Sequence, residues 1–235
     1  MVELTIVIPT FNEEKHIEKV MHTVCDDLEK LKLIPEVLII DDSKDNTYAI
    51  LKQLAKDYKN LKIIHRTNKK GVGSAIRLGI ETAKGKYVIV YMADAPDDIK
   101  YIPTMLEKLK QGYDIVQTSR FFKESKWIGY PVKKRVCNWL CNNFIKVAFL
   151  RFSLKDFSSL FKGFNKDKVK ALNLSANEFD LGLELVLKGM RKKYRIIEVP
   201  VSWKERQIGE SKLKLSKYAK YYLKQVIRIW LTYWN

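Results

Sequence analysis

The amino-acid sequence predicts an α/β protein in which a mostly parallel β-sheet is flanked by helices. Apolar runs of strand length alternate with segments of helical period through the first hundred residues, a pattern typical of right-handed βαβ units. The run at residues 87–91 is continuously apolar, as expected for a strand covered on both faces. Carboxylates follow several of these runs, and ligands of open α/β sheets bind at the carboxyl ends of the strands.

The first half of the chain alternates predicted strands and helices. The strands are expected at residues 4–9, 37–40, 61–64 and 87–91. The helices are expected around residues 17–24, 47–58 and 75–78. Thr10 or Asn12 is the expected N-cap of the first helix. Parallel strands would bring one group of carboxylates to the same edge of the sheet: Glu13, Asp41, Asp42 and Asp94.

The second half of the chain is less regular. We expect helices near residues 101–110, 131–150, 179–187 and 215–234. Strands are expected at residues 114–118, within 156–164 and at 195–201. A basic and aromatic segment at 121–130 precedes the long helix, and a basic loop at 203–212 precedes the last one. Such a loop either closes on phosphates or is a solvated charged loop.

Three cations lie in the first turns of the helix predicted at 131–150: Lys133, Lys134 and Arg135. Cations at a helix N-terminus oppose the helix dipole at a cost of about 0.3 to 1 kcal/mol each. An anionic ligand at this position would remove the conflict, although ordinary surface lysines explain Lys133 and Lys134 equally well.

The last helix combines an apolar and aromatic stripe with basic residues on its other faces. Its apolar positions recur at helical spacing: Tyr218, Tyr222, Val226, Ile229, Trp230 and Tyr233. This composition is that of a helix at a membrane interface. A helix that caps the core of the domain would have a similar pattern.

The net charge of +17 predicts an anionic partner, which is a nucleic acid, an acidic membrane face or a phosphorylated ligand. No nucleic-acid-binding module is recognisable, and carboxylates at strand ends would repel phosphates unless a metal intervened. A nucleic-acid-binding protein is therefore the remote alternative to an enzyme, and we expect no nucleic acid among the partners.

Cysteine usage indicates a reducing compartment, and the N-terminus does not resemble a signal peptide. The chain has three cysteines, an odd and small number that does not suit a disulfide scaffold. Cys137 and Cys141 have no further His or Cys at the spacing of zinc ligands. Glu3 and Pro9 make the N-terminus a poor signal peptide. No stretch reaches the ~20 apolar residues that are needed to span a membrane. A chain cut before later membrane helices would look the same.

Several short motifs, in one order along nearly the whole chain, resemble glycosyltransferase family 2 of the GT-A fold. Within that family they are most similar to the dolichol- or polyprenyl-phosphate sugar synthases. The motifs comprise residues 7–14, 41–47 and 71–75, Met92 to Asp94, Ser119 with Arg120, residues 198–200, and Arg206 with residues 209–212.

The resemblance implies a nucleotide-sugar site built on a GT-A, Rossmann-like sheet. The residues implied for the nucleoside are Pro9, Phe11, Glu13, Ile40, Asp41 and Asp42, and Ala93 would lie beside the diphosphate. Asp94 would bind Mg²⁺ or Mn²⁺, which prefer oxygen ligands. Arg120, Arg206 and Lys212 would hold phosphates of donor and acceptor. Arg135 is the candidate for the acceptor phosphate.

One departure from the family pattern concerns the metal. The usual triplet is Asp-x-Asp, but Met92 stands at its first position and Pro96 where a further polar residue is expected. Either Asp97 or Asp98 turns back toward the cation, with Asp98 our choice, or Asp94 acts with the diphosphate, water and nearby cations such as Lys212. Metal dependence is expected in both cases.

The resemblance implies inverting transfer of a sugar, with mannose from GDP-mannose the first choice, to a dolichyl or polyprenyl phosphate. The alternatives are UDP-glucose or UDP-N-acetylglucosamine as donor, and a glycan hydroxyl as acceptor. Residues 1–212 would be the catalytic domain, with a donor half at 1–118 and an acceptor half at 119–212, and 213–235 the interfacial helix. We expect a peripheral protein on the cytosolic face of an anionic membrane, with a membrane-embedded partner subunit as a further possible partner.

Overall fold

The computed structural model describes residues 2–68, 71–94, 98–150, 153–204 and 215–233. The strands are β1 (Leu4–Thr10), β2 (Glu36–Asp41), β3 (Leu61–His65), β4 (Tyr87–Val90), β5 (Ile115–Ser119), β6 (Trp127–Ile128), β7 (Lys162–Asn165), β8 (Ile196–Pro200) and β9 (Trp203–Lys204). The helices are α1 (Ile17–Lys30), α2 (Thr47–Asp57), α3 (Val72–Thr82), α4 (Ile102–Lys110), α5 (Val132–Ala148), α6 (Lys166–Lys170), α7 (Leu181–Arg191) and α8 (Leu215–Tyr233).

Seven strands form the main sheet in the order β3-β2-β1-β4-β7-β5-β8. The first four are parallel to one another, and β5 is parallel to β8. β7 is antiparallel to both of its neighbours, β4 and β5. The expected α/β class with a mostly parallel sheet is confirmed. The sequence pattern indicated a short strand near β7 but carried no sign of its direction.

The sheet is covered on both faces, which explains why its strands are apolar without alternation. Ile6 and Ile8 point to the face covered by α1, α2 and α4, whereas Val7 points to the face covered by α3, α5, α7 and α8. Val88 and Ile89 of β4 divide in the same way. The core therefore consists of two layers separated by the sheet.

The parallel register places the ends of β1 and β2 side by side. Pro9 is opposite Ile40, and Thr10 is opposite Asp41. β4 pairs with the other edge of β1, and its extension continues with a hydrogen bond from the amide of Tyr91 to the carbonyl of Val7. The expected convergence of strand ends at one edge is thus a property of the fold.

The predicted cap of α1 was wrong. α1 begins at Ile17, and the residue before it, His16, makes no side-chain capping bond. Asn12 has a positive φ of 52°, and its side-chain oxygen accepts from the backbone of Lys44 in the next strand-end loop. α1 begins too far along the chain for Asn12 to cap it, and the Asn12 side chain bonds the next loop instead.

α8 places two predicted apolar residues in the core. Val226 and Ile229 are buried, and the hydroxyl of Tyr222 donates to the carbonyl of Phe179 at 3.3 Å. Other apolar residues of α8, among them Leu223 and Ile227, are exposed. Within the described residues, none of the helices is both long enough and apolar enough to cross a membrane.

Candidate functional site

The loops after β1 and β2 are joined by hydrogen bonds between side chains and backbone. The amide of Asn12 donates to the hydroxyl of Ser43 at 2.8 Å, and the amide of Glu13 donates to the hydroxyl of Thr47 at 2.9 Å. Glu13 is buried and Phe11 is partly exposed. These bonds give the two loops one fixed relative arrangement, so the residues they carry share a single site.

Asp41 is completely buried at this edge and is held by two protein groups. Its carboxylate accepts from the hydroxyl of Ser43 at 2.5 Å and contacts Nδ1 of His65 at 2.7 Å. The ring of Tyr48 stacks on His65 with the ring centroids 4.2 Å apart. Asp41 therefore supports the loop that carries Asp42.

Asp42 forms a two-pronged ion pair with Arg66, the residue that follows β3. Both Nε and Nη2 of Arg66 donate to the Asp42 carboxylate at 2.5 Å, and Nη1 donates to the hydroxyl of Ser74 at 2.9 Å. Arg66 therefore orients Asp42 and connects it to the first turn of α3. The sequence analysis did not select Arg66; its position directly after a parallel strand was the available signal.

Ala93 and Asp94 follow β4 at the same edge, with Ala93 buried and Asp94 partly buried. The Asp98 carboxylate accepts from the amide of Lys100 at 3.0 Å and forms an ion pair with its ammonium at 2.6 Å. Asp97 lies outside the described residues. No group of three ligand-type side chains with metal-site geometry occurs within the described part of the chain. Asp94 is thus the candidate ligand that the strand ends position, and Asp98 is engaged locally.

Arg120 follows β5 and is bound to Asp156 in a buried ion pair. Its Nε and Nη2 donate to the two carboxylate oxygens at 2.8 and 3.1 Å, and Nη2 also donates to the hydroxyl of Ser158 at 2.7 Å. Burial by itself would raise the pKa of Asp156, but the charge of Arg120 and hydrogen bonds from Arg120 and Ser158 lower it to about 2. Arg120 is consequently fixed in direction, with its charge partly balanced.

A polar network of Glu198, Gln117 and Lys162 supports this ion pair. The Glu198 carboxylate accepts from the amides of Lys155 and Asp156 at 2.8 and 2.9 Å and from the side-chain amide of Gln117 at 2.6 Å. The ammonium of Lys162 donates to Gln117 at 3.2 Å. Burial lowers the pKa of Lys162 to about 8 although Asp156 and Glu198 act in the opposite direction. Glu198 thereby holds the peptide that carries Asp156.

Arg120 and Arg135 meet at the indole of Trp127. Their guanidinium carbons lie 5.7 and 5.2 Å from the ring centroid, within the range of cation–π attraction. Trp127 belongs to an aromatic chain in which each ring contacts the next edge to face at 4.6 to 5.1 Å. The chain consists of Phe121, Trp127, Tyr130 and Trp203. Two arginines that the sequence analysis selected separately thus contact one ring.

α5 and α8 expose many large apolar side chains, which we call the α5–α8 apolar face. Its members are Val132, Val136, Trp139, Leu140, Phe144, Val147, Leu223, Ile227, Trp230 and Leu231. The indole of Trp230 donates to the carbonyl of Ala148 at 3.1 Å and joins the two helices. Contiguous exposed apolar surface of this kind marks a contact with a membrane, a ligand or another protein.

The remaining sequence-selected cations, Arg206 and Lys212, lie outside the described residues, so their roles stay predictions. The residues that the sequence analysis missed are Arg66, Trp127 and Asp156. Arg120 and Asp156 are 36 positions apart, and no local pattern connects them.

The sheet order and the loops at its strand ends define a GT-A fold. A crystal structure of glucosyl-3-phosphoglycerate synthase from Mycobacterium tuberculosis in complex with Mn²⁺, UDP and glucosyl-3-phosphoglycerate superposes with a TM-score of 0.70. The sequence identity is 15%, and the alignment covers 99% of this chain and 80% of that one. The similarity at this identity concerns the fold.

Residues 5–172 match the model of Glycosyl transferase family 2, and the chain belongs to that family. It is 30% identical over 229 residues to dolichol-phosphate mannosyltransferase of Pyrococcus furiosus. The alignment covers 97% of this chain and 63% of that protein. It is 28% identical over 218 residues to undecaprenyl-phosphate mannosyltransferase of Micrococcus luteus, covering 88% of this chain and 86% of the relative. The chain thus spans less than two thirds of the archaeal relative.

Proposed function

We propose that the protein transfers a sugar from a nucleotide sugar to a dolichyl or polyprenyl phosphate, with inversion at the anomeric carbon. The preferred donor is GDP-mannose. The observation that carries the proposal is that Arg120 and Arg135 contact one indole, and that Arg135 lies in α5 next to exposed apolar side chains such as Val132 and Val136. A phosphate attached to an isoprenoid chain needs cations and apolar surface side by side, and both are present here.

The donor would bind at the joined ends of β1, β2 and β4. Phe11 offers an aromatic surface for the base, and the carboxylate of Asp42, oriented by Arg66, suits the hydroxyls of a ribose. Pro9, Glu13, Ile40 and Asp41 complete the proposed nucleoside pocket, with Ala93 beside the diphosphate. The names of the relatives from P. furiosus and M. luteus support mannose as the sugar.

The acceptor would act as a phosphate oxygen nucleophile. The second pKa of a phosphate monoester is about 6, so the oxygen is ionised near neutral pH and requires no strong general base. Arg135 and Arg120 would orient it toward the anomeric carbon, while Arg206 and Lys212 would stabilise the departing diphosphate. Asp94 is the proposed ligand for Mg²⁺ or Mn²⁺, which when bound neutralises charge on the diphosphate.

The membrane is the proposed location of this reaction, on its cytosolic face. A net charge of +17 favours an anionic lipid surface, and the α5–α8 apolar face would enter its headgroup region. A membrane-embedded partner subunit could cover part of the same face. The lipid phosphate would then reach the two arginines without leaving the bilayer.

The donor is tested by thermal unfolding with GDP-mannose, UDP-glucose and UDP-N-acetylglucosamine, each with and without Mg²⁺ or Mn²⁺. A ligand at a hundredfold excess over its Kd stabilises the folded state by about 2.7 kcal/mol. We expect the largest increase in Tm with GDP-mannose and metal, and a smaller one for Asp94→Asn. A larger increase with a UDP-sugar would reassign the donor, and no response to any of them would refute the transferase assignment.

The acceptor is tested by transfer of radiolabelled sugar to dolichyl phosphate or undecaprenyl phosphate. Arg135→Ala should raise the acceptor KM at least tenfold and leave nucleotide binding unchanged. Lys123→Ala removes the same charge from an exposed position in the neighbouring segment and serves as the control. Equal effects of the two substitutions would contradict the role of Arg135.

A further inference from the structure

Trp127 occupies a central position in the acceptor half, because both arginines proposed to receive the lipid phosphate contact its ring. The distances from the ring centroid to the guanidinium carbons are 5.7 Å for Arg120 and 5.2 Å for Arg135. The two arginines come from different elements, one after β5 and the other in the first turn of α5. The indole is therefore a common surface for both cations.

The two guanidinium groups are held unequally by the rest of the protein. Arg120 is fixed by its bonds to Asp156 and Ser158. Arg135 is exposed, and among the described residues no carboxylate forms an ion pair with it. The π face of Trp127 is thus the contact that can hold the Arg135 side chain at the same ring that Arg120 contacts, because an aromatic face attracts a cation.

The indole itself is held firmly. Trp127 lies in β6, which pairs with β9 so that Trp127 is opposite Trp203. The amide of Trp203 donates to the carbonyl of Lys126 at 2.9 Å. Phe121 and Tyr130 contact the indole edge to face at 5.1 and 4.8 Å. A ring supported by backbone pairing and two other rings can position a mobile arginine side chain.

We propose that Trp127 is a positioning residue for acceptor binding, whose indole holds the Arg120 and Arg135 guanidinium groups in one phosphate-receiving arrangement. This inference rests on the proposed function for the identity of the acceptor. Two guanidinium groups that are already held in position bind a phosphate more tightly than two that sample many rotamers. The reason is that less side-chain entropy is lost on binding. Trp127 acts through the arginines and has no chemical role of its own.

The kinetic test compares Trp127→Leu, Trp127→Phe and the control Phe122→Leu. Phe122 lies in the same segment and contacts the cation of Lys155 instead, at 3.9 Å. With dolichyl phosphate as acceptor, we expect Trp127→Leu to raise the acceptor KM about tenfold, and Trp127→Phe to restore it to within about threefold of wild type. The donor KM and the values for Phe122→Leu should stay within about twofold. Equal changes in donor and acceptor KM for Trp127→Leu, or no change in either, would overturn the proposal.

A double-mutant comparison separates positioning from general damage. In an Arg135→Ala background, Trp127→Leu should add less than about threefold to the acceptor KM, because Arg135 is absent and Asp156 and Ser158 still hold Arg120. A full additional tenfold increase would show that Trp127 acts independently of Arg135. This result would refute the proposal even if the single substitution had the expected effect.

An NMR measurement tests the same geometry without turnover. The Nε–Hε signals of isotopically labelled arginine, assigned with Arg120→Lys and Arg135→Lys, report the ring current of Trp127. Trp127→Leu should shift both signals, and inorganic phosphate should perturb them at about tenfold lower concentration in wild type than in the variant. Unchanged signals would refute the inference. If the wild type passes this test yet uses no lipid phosphate, the proposed function fails while the positioning role stands.

Discussion

Asp156→Asn should strongly destabilise the protein, because it leaves the largely buried guanidinium of Arg120 without the carboxylate that balances its charge. The asparagine resembles the protonated acid in shape, so the substitution removes mainly the charge. The pKa of Asp156 falls from its ordinary value of 3.8 to about 2, and one pKa unit is about 1.4 kcal/mol. The charged form is therefore favoured by about 2 kcal/mol in the folded state, and Asp156→Asn should lose about 2 to 3 kcal/mol at pH 7.

The pH dependence has a definite sign. Because the folded-state pKa is depressed, the stabilisation is complete above the unfolded pKa near 4 and disappears as the pH falls toward 2. The difference in the free energy of unfolding between wild type and Asp156→Asn should shrink below pH 4, as Asp156 becomes protonated in the wild type. Removing one partner of a buried ion pair can cost about 3 to 5 kcal/mol of stability, which is the upper limit for the effect of Asp156→Asn.

The assay is urea denaturation of both proteins, with Tm measured in parallel. For a chain of this size about 1 kcal/mol corresponds to about 2 to 4 °C, so a decrease of about 5 to 10 °C is expected. Asp57→Asn, an exposed acid at the end of α2, is the matched control and should change stability by less than about 0.5 kcal/mol. A loss below 1 kcal/mol for Asp156→Asn, or a difference that grows below pH 4, would refute the reasoning.

Three further outcomes are expected. The pKa of Lys162 is lowered to about 8, so above that pH the unfolded state binds more protons than the folded state. The free energy of unfolding of the wild type should therefore rise by about 1 to 2 kcal/mol from pH 8 to 9.5. Urea denaturation measures this rise relative to Lys162→Met. Gly71→Ala should lower the free energy of unfolding by more than about 2 kcal/mol, because a Cβ would lie 2.4 Å from the Asn177 carbonyl oxygen. Gly112 has a similar positive φ but only a flexible side chain nearby, so Gly112→Ala should cost about 1 kcal/mol. Equal losses for the two substitutions would contradict the clash at Gly71. Leu140→Ser should weaken sedimentation with phosphatidylserine vesicles several-fold, whereas unchanged binding would argue against membrane contact by the α5–α8 apolar face.

Arg120 and Arg135 are held differently by the rest of the protein. Arg120 serves a buried ion pair and also contacts Trp127, whereas Arg135 is exposed. A substitution of Arg120 will therefore combine loss of stability with loss of binding. Arg135 and Trp127 are better positions at which to test the proposed acceptor binding alone.

The C-terminal helix illustrates the limit of a sequence pattern. Its apolar positions suited both an interfacial helix and a helix that caps the core, since both environments select the same side chains. Val226 and Ile229 are in the core, whereas Leu223 and Ile227 are exposed. The exposed face of α5 was not predicted, because one helix seen in isolation does not reveal which side its neighbours cover.

The sequence by itself determined the succession of strands and helices, the parallel part of the sheet and the meeting of strand ends at Pro9, Asp41 and Asp42. These features follow from local periodicity and from the right-handed connections of βαβ units, which depend on nearby residues. Only the tertiary structure decided that β7 runs antiparallel, that Arg66 orients Asp42, and that Trp127 contacts two arginines. Those contacts join residues far apart in the chain, and their energies depend on burial and mutual geometry, which no local pattern of residues encodes.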